Sequence, residues 1–537
     1  MRAKTRGVRV FSRLLAVALA GAAGLAYQPG LAVPSSPDDR TILHVLNRIG
    51  FGPRPGDVER VRAAGLRAYI EEQLHPERLP DADMGARLEG LTTITKSTQE
   101  LAADYFIPAL QMRREQQRRA ASRDTAKDPE TPAPRREQLT PEQRAALRAQ
   151  QTVLAELAQQ KILRAAYSER QLQEVMVDFW FNHFNVFSGK GLTRLYLTAY
   201  ERDAIRPHAL GRFRDLLGAT AASPAMLVYL DNWQSAANEG AATMARLPSS
   251  AQNRRPRGLN ENYARELMEL HTLGVDGSYT QKDVQEVARA FTGWTITAPR
   301  RGGSFRFEPR MHDDGEKVVL GHRLTAGGGK RDGERVLDLL AKHPSTATFV
   351  ATKLARRFVA DEPPTALVDR AANVFRRTDG DIREVVRTIV TSPEFFDEAS
   401  YRAKVKTPFE FVVSAVRATG ADAASALPLV QTLRHLGMPL YGCQPPTGYA
   451  DTAEAWVNTG ALLSRMNFAV ALAEGRLRAV RIPPASFGPS TDEARSTLAK
   501  VALAGDLSES TTTTVEKAEA TPQALALLLG APEFQRR

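Results

Sequence analysis

Asn260 to Gly274 reads NENYARELMELHTLG, and its periodicity decides how the rest of the chain is understood. At about 100° per residue, Asn262, Glu266 and Glu269 fall on one stripe of a helix, while Tyr263, Leu267, Met268 and Leu270 cover most of the remainder. A helix apolar over so much of its circumference is expected in the interior. Carboxylates there are costly unless paired, hydrogen-bonded or bound to a cation. Val175 to Phe187 (VMVDFWFNHFNVF) repeats the pattern, with Asp178, Asn182 and Asn185 on one stripe among Phe179, Trp180, Phe181, Phe184 and Phe187.

Helical punctuation continues on both sides of these segments. Thr140-Pro141-Glu142-Gln143 places a capping hydroxyl, a proline and a reciprocal amide at the head of a helix running toward Tyr167. Thr280 with Asp283 opens another, and Thr521-Pro522 opens the last. Strand signals are confined to TGWTIT, SFRFEP and KVVLG, between Trp294 and Leu320, short and separated by Gly and Pro. The expected fold is mainly α, a large multi-helix body over residues 33–537 with a small β-hairpin insertion around residues 294–320. Met112 to Leu139 is polar and proline-containing, too poor in apolar residues to offset the entropy of ordering, and is expected to be a mobile insertion. Leu247 to Arg257, rich in Ser, Asn, Pro and Arg, is either a lid before the first ladder or an inert loop.

Residues 1–32 have the pattern of a secretory signal peptide. Arg2, Lys4, Arg6, Arg9 and Arg13 precede an apolar run from Leu14 to Tyr27, followed by a small-x-small site at Gly30-Leu31-Ala32. The run is too short for a membrane span, which needs roughly 20 residues. No Arg-Arg pair precedes it, so the general secretory route is expected, delivering the chain to the periplasm or beyond with no stable membrane span after cleavage. Removing those five cations lowers the formal charge from +11 to +6. This is too mild and too dispersed for a nucleic-acid partner. Cys443 is the only cysteine, so no intrachain disulfide forms and the fold rests on its apolar core.

Two groups of residues could carry chemistry. If the two ladders face one another, Asp178, Glu266 and Glu269 converge with the amides of Asn182, Asn185 and Asn262. That set suits a divalent cation such as calcium or magnesium. The alternative is a structural network in which Arg265 and Arg465 neutralise the carboxylates and the amides satisfy one another. His183 and His271 lie among apolar neighbours and lack zinc-ligand spacing, which fits core residues. The second group is His312-Asp313-Asp314-Gly315-Glu316-Lys317, where His312, Asp313 and Lys317 could act as acid and base in a loop. The same string also reads as an Asp-Gly turn with solvated charges. No GxSxG elbow, Walker loop or GxGxxG is present, and Cys443 has no identifiable base beside it.

Several blocks in order resemble one family: HVLNRIGFGPRPGDVERV (His44 to Val61), WFNHFNV (Trp180 to Val186), ENYARELMELHTLGVDGSYTQKDVQEVARAFTGW (Glu261 to Trp294), HDDGEKVVLG (His312 to Gly321), PPTGYADTAEAWVNTGALLSRMNFA (Pro445 to Ala469) and the closing APEFQRR. They are similar to the domain of unknown function 1800 family. The resemblance implies a large, mostly helical, commonly exported bacterial protein, with no reaction to carry over. It also implies a secreted partner of the domain of unknown function 1501 family, which resembles alkaline-phosphatase and sulfatase folds. Where relatives have Gly-Trp after the double proline, this chain has Gly448-Tyr449. The expected function is an exported accessory or binding protein of the cell envelope, acting with a secreted partner or an envelope polymer. The alternative is a hydrolase using a divalent cation held by Asp178, Glu266 and Glu269.

Overall fold

Helix starts in this chain are written locally. At Thr140 the hydroxyl accepts from the Gln143 amide while the Gln143 side chain accepts from the Thr140 N–H, and the same reciprocal box recurs at Thr280/Asp283 and Thr407/Glu410. Each box satisfies two amides that a helix N-terminus otherwise leaves without partners. The computed structural model describes residues 32–124, 140–237, 258–299, 302–483, 486–487 and 490–537. The expected leader, apart from Ala32, and the whole of the possible lid at 247–257 lie outside those residues.

The fold is mainly α, as expected. The helices used below are α1 (Asp39–Arg48), α2 (Ile107–Asp124), α3 (Pro141–Tyr167), α4 (Gln171–His183), α5 (Glu261–Glu269), α6 (Gln281–Ala290), α7 (Lys330–Lys342), α8 (Pro344–Phe358), α9 (Pro408–Ala418) and α10 (Thr459–Ala473). Residues 112–124 of the polar stretch expected to be a mobile insertion continue helix α2, and residues 125–139 are outside the described set. The 27 residues of α3 span about 40 Å. Its buried positions begin at Val153, so nearly the first half of the helix stands away from the core beside α2.

The described residues form three two-stranded antiparallel sheets. Two occupy the region expected to hold one hairpin. β1 (Trp294–Ile296) pairs with β2 (Phe305–Phe307), and β3 (Lys317–Val319) pairs with β4 (His322–Leu324). The second pair is joined by Leu320-Gly321, both at positive φ, the two-residue turn whose twist matches that of the strands. The third sheet is a two-residue pairing of Asp422–Ala423 with Val480–Arg481.

Buried apolar side chains form one continuous cluster from Val33 to Phe534. Trp180 of α4 sits at its middle, packed on Phe184 and Phe213, with its indole N–H donating to the Ala209 carbonyl at 2.9 Å. The last residues pair with the segment leading into α9. Lys404 and Arg537 exchange backbone hydrogen bonds, and Lys406 N–H donates to Gln535 O. That pairing brings the Arg537 side chain back into the interior beside α9.

Candidate functional site

The two ladders do not face one another. On α5 the buried residues are Tyr263, Ala264, Leu267 and Met268; Asn262 is exposed, and Glu266 and Glu269 are only half-buried. The stripe therefore points outward from an ordinary amphipathic helix. Glu269 accepts from the Tyr279 hydroxyl at 3.3 Å, and Arg265 lies 4.0 Å from Glu261 and donates to Gln281. Partial burial, then the neighbouring Glu269, raise the Glu266 carboxyl above its usual value. Arg465 is nowhere in this group. It is buried on α10, donating to Gln535 Oε1 and Lys406 O with its guanidinium 5.3 Å from the Phe411 ring. Among the described residues no three His, Cys, Asp or Glu side chains come together as a metal-ligand set, so Asp178, Glu266 and Glu269 are not a shared cation site.

His312, Asp313 and Lys317 are brought together, with every group held by protein. His312 Nδ1 lies 2.8 Å from Thr292 O, and its Nε2 3.2 Å from Asp332. Asp313 takes two hydrogen bonds from Arg289 of α6 and one from the Gly315 amide, and the Arg289 bonds chiefly hold its carboxyl below the usual range. Lys317 is fully enclosed and donates to Asp313 O, Gly315 O and Asp332 Oδ2 at 2.5, 2.8 and 2.7 Å. Asp332, in the first turn of α7 and without a motif around it in the sequence, is the hub that joins the loop, strand β3 and α7. All three donors of the Lys317 ammonium are used. This is a tie between elements and leaves no free acid or base.

The second ladder leads to a cavity. Asn182 is used in full on one residue: its Nδ2 donates to Tyr449 O at 2.8 Å, and its Oδ1 accepts from Tyr449 N–H at 2.7 Å. Asn185 Nδ2 donates to Cys443 O and Pro445 O. These bonds seat the segment from Cys443 to Thr452 against α4. Gly448, at φ +74°, passes so close that a Cβ there would lie 2.2 Å from the Asn182 carbonyl oxygen. Only glycine fits this approach and this backbone angle. Burial pushes the Cys443 thiol up to about 11, which removes it as a nucleophile near neutrality.

Between that segment, the C-terminal end of α3, α4, α8 and the start of α9 lies a cavity of about 270 Å³. Phe179, Phe181, Met438, Leu440, Tyr441 and Tyr449 are its apolar and aromatic lining residues. Its charged lining residues are Asp178, Lys161, Lys353, Arg356, Arg357, Glu410 and Asp451. Lys161 pairs with Asp178 at 2.8 Å and sits 5.3 to 5.6 Å from the ring centres of Phe181, Phe409 and Tyr441. Glu410, which also caps α9, accepts from Arg357 and lies 2.9 Å from Arg537 Nε; these arginines hold its carboxyl far below the usual range despite burial. Behind the wall Lys404 bridges Asp361 and Asp451 at 2.5 and 3.2 Å.

Lys353 differs from its neighbours. Among the described residues its amine makes no hydrogen bond or ion pair, and burial lowers it to about 8, with Asp451 and Arg356 acting in opposite directions. His183 lines the same cavity, donates from Nε2 to His271 O at 3.1 Å, and leaves Nδ1 without a partner. Burial, then Lys353, hold both histidines neutral, His271 down to about 3 and His183 well below its usual value.

Of the sequence candidates, Asp178, Asn182, His183 and Asn185 thus belong to one cavity, and Glu266, Glu269, Asn262, Arg265, Arg465 and the His312 loop do not. The sequence did carry one overlooked signal for the rest, the lone carboxylate of Glu410 inside the apolar run PFEFVVSAV. It lies deeper than either glutamate of the first ladder.

No curated protein and no solved structure matches this chain. A family model described as "Protein of unknown function (DUF1800)" matches residues 44–536, a span that contains every element of the cavity and of the tie at Asp332. The chain belongs to the DUF1800 family.

Proposed function

We propose that this chain is an exported binding protein of the cell envelope that holds a small ligand in the cavity between α4, α8 and the Cys443–Thr452 segment. The observation that supports this most is the cavity's construction: one wall is seated by Asn182 and Asn185 without help from an occupant, and the lining includes Lys353, whose amine has no hydrogen bond or ion pair among the described residues. A pocket with an apolar wall and a few convergent polar groups is the usual form of a small-molecule site. The basic, apolar, small-x-small order of residues 1–32 supports export. An exported partner of the domain of unknown function 1501 family, or an envelope polymer, would meet the protein outside the cytoplasm. Hydrolysis through a shared divalent cation has no support in this arrangement, because Asp178 lines the cavity while Glu266 and Glu269 lie on an outward stripe.

Two measurements test the reading. Fusing residues 1–32 to a reporter active only outside the cytoplasm should give activity that is lost when the apolar run is interrupted by charge. Purified protein screened by thermal shift against small molecules should be stabilised by some of them, and Gly448→Val should abolish that stabilisation. Retention of every ligand response in Gly448→Val would show that the ligands bind elsewhere than in the cavity.

A further inference from the structure

We infer that the ligand of this cavity is an anion, a small molecule bearing a carboxylate or phosphate-type group, and that Lys353 is the residue that receives it. The inference rests on the binding reading above and adds the chemical class of the ligand.

The argument is one of charge. Lys161, Lys353, Arg356 and Arg357 stand in the wall, with Lys404 and Arg537 directly behind it. Their carboxylate partners are Asp178, Glu410, Asp451 and Asp361, and each is already engaged: Asp178 by Lys161, Glu410 by Arg357 and Arg537, Asp361 and Asp451 by Lys404. Six cations face four carboxylates. The two left over are identifiable, since among the described residues Lys353 has no polar partner and Arg356 makes one hydrogen bond, to the Asp361 carbonyl. A cation withdrawn from water without a counter-charge is costly, and an arriving anion removes that cost. The apolar lining residues Phe179, Met438 and Leu440 ask for an apolar body on the same molecule.

The charged and titratable groups around Lys353 are Arg356 on its own helix, His183 on α4, His271 beyond α5, and Asp451 on the seated segment. Burial holds both histidines neutral and brings the Lys353 amine down to about 8, so near that pH the amine is the group that changes charge. Anion binding at pH 8 should therefore draw a proton onto Lys353.

Isothermal titration of the leaderless chain at low salt tests this with four probes: benzoate, phenyl phosphate, inorganic phosphate and the neutral benzyl alcohol. Benzoate or phenyl phosphate should bind at least ten-fold more tightly than benzyl alcohol, with proton uptake at pH 8 seen as a dependence of heat on buffer. The better of the two assigns the group as carboxylate or phosphate ester; binding of inorganic phosphate alone assigns free phosphate. Lys353→Met should weaken the anion at least ten-fold and abolish proton uptake without lowering the melting temperature, and Lys353→Arg should restore binding. Benzyl alcohol binding as tightly as the anions, or Lys353→Met binding them like the parent, overturns the inference and leaves the cavity a binding site. No binding of any probe overturns both.

Discussion

Lys317 is buried and Lys353 half-buried, and their surroundings are opposite. Lys317 spends its three donors on Asp313 O, Gly315 O and Asp332, whereas Lys353 faces a cavity with no polar partner among the described residues. A cluster that looks catalytic in sequence is thus a closed structural tie, and a lysine with no motif around it is the exposed end of an unbalanced charge network. Completeness of pairing, more than residue type, separates the two.

The largest test of this contrast removes the hub of the tie. Asp332→Ala leaves Lys317 enclosed without its counter-charge and should cost about 3–5 kcal/mol in urea unfolding, while ligand response in the cavity is retained. Glu410→Gln should cost a similar amount, about 3–5 kcal/mol, because Arg357 and Arg537 lose their shared counter-charge. Its sign with pH is fixed: the folded carboxyl titrates far below its ordinary 4.5, so its contribution is complete above about pH 4.5 and is lost as pH falls toward the folded value. Glu410→Gln should therefore flatten that part of the acid-unfolding curve. Gly448→Ala places a methyl against Asn182 at a backbone angle that favours glycine and should cost about 2–3 kcal/mol in the same assay.

Lys353→Met inverts the pattern, with an expected gain of about 1–2 kcal/mol at pH 7 after discounting for water in the cavity. The folded amine titrates at about 8 against 10.5 when unfolded, so the unfolded chain binds more protons between those values. The penalty is full below pH 8 and fades as pH rises to 10.5, and the advantage of the variant should disappear over the same window. The smallest effect belongs to the outward stripe: Glu266→Gln should change stability by less than about 0.5 kcal/mol, as for most surface substitutions. A loss of several kcal/mol there would restore the interior reading of that helix.

What could be read from sequence was local. The boxes at Thr140 and Thr280 needed only residues three apart, and the mainly helical fold followed from such punctuation and from apolar periodicity. The seat for the Cys443–Thr452 segment was half legible, since Asn182 and Asn185 stood out among aromatics, but their partners lie about 260 residues away. The first ladder misled because its apolar circumference was judged over a segment extending past the helix, which ends at Glu269, so that half-buried Leu270 was counted as part of its face. Lys161, Lys353, Glu410 and Arg537 come from four distant parts of the chain, and no spacing rule links them. Their common property is electrostatic imbalance, which exists only once they are folded together.

Asn182 holds Tyr449 by backbone atoms alone, and Gly448 contributes no side chain to the contact. Placement of this wall is thereby uncoupled from the identity of Thr447, Ala450 and Thr452, whose side chains are free to differ while the main chain keeps its course. Selection, or an engineer, can retune what the protein accepts at those three positions without rebuilding its frame.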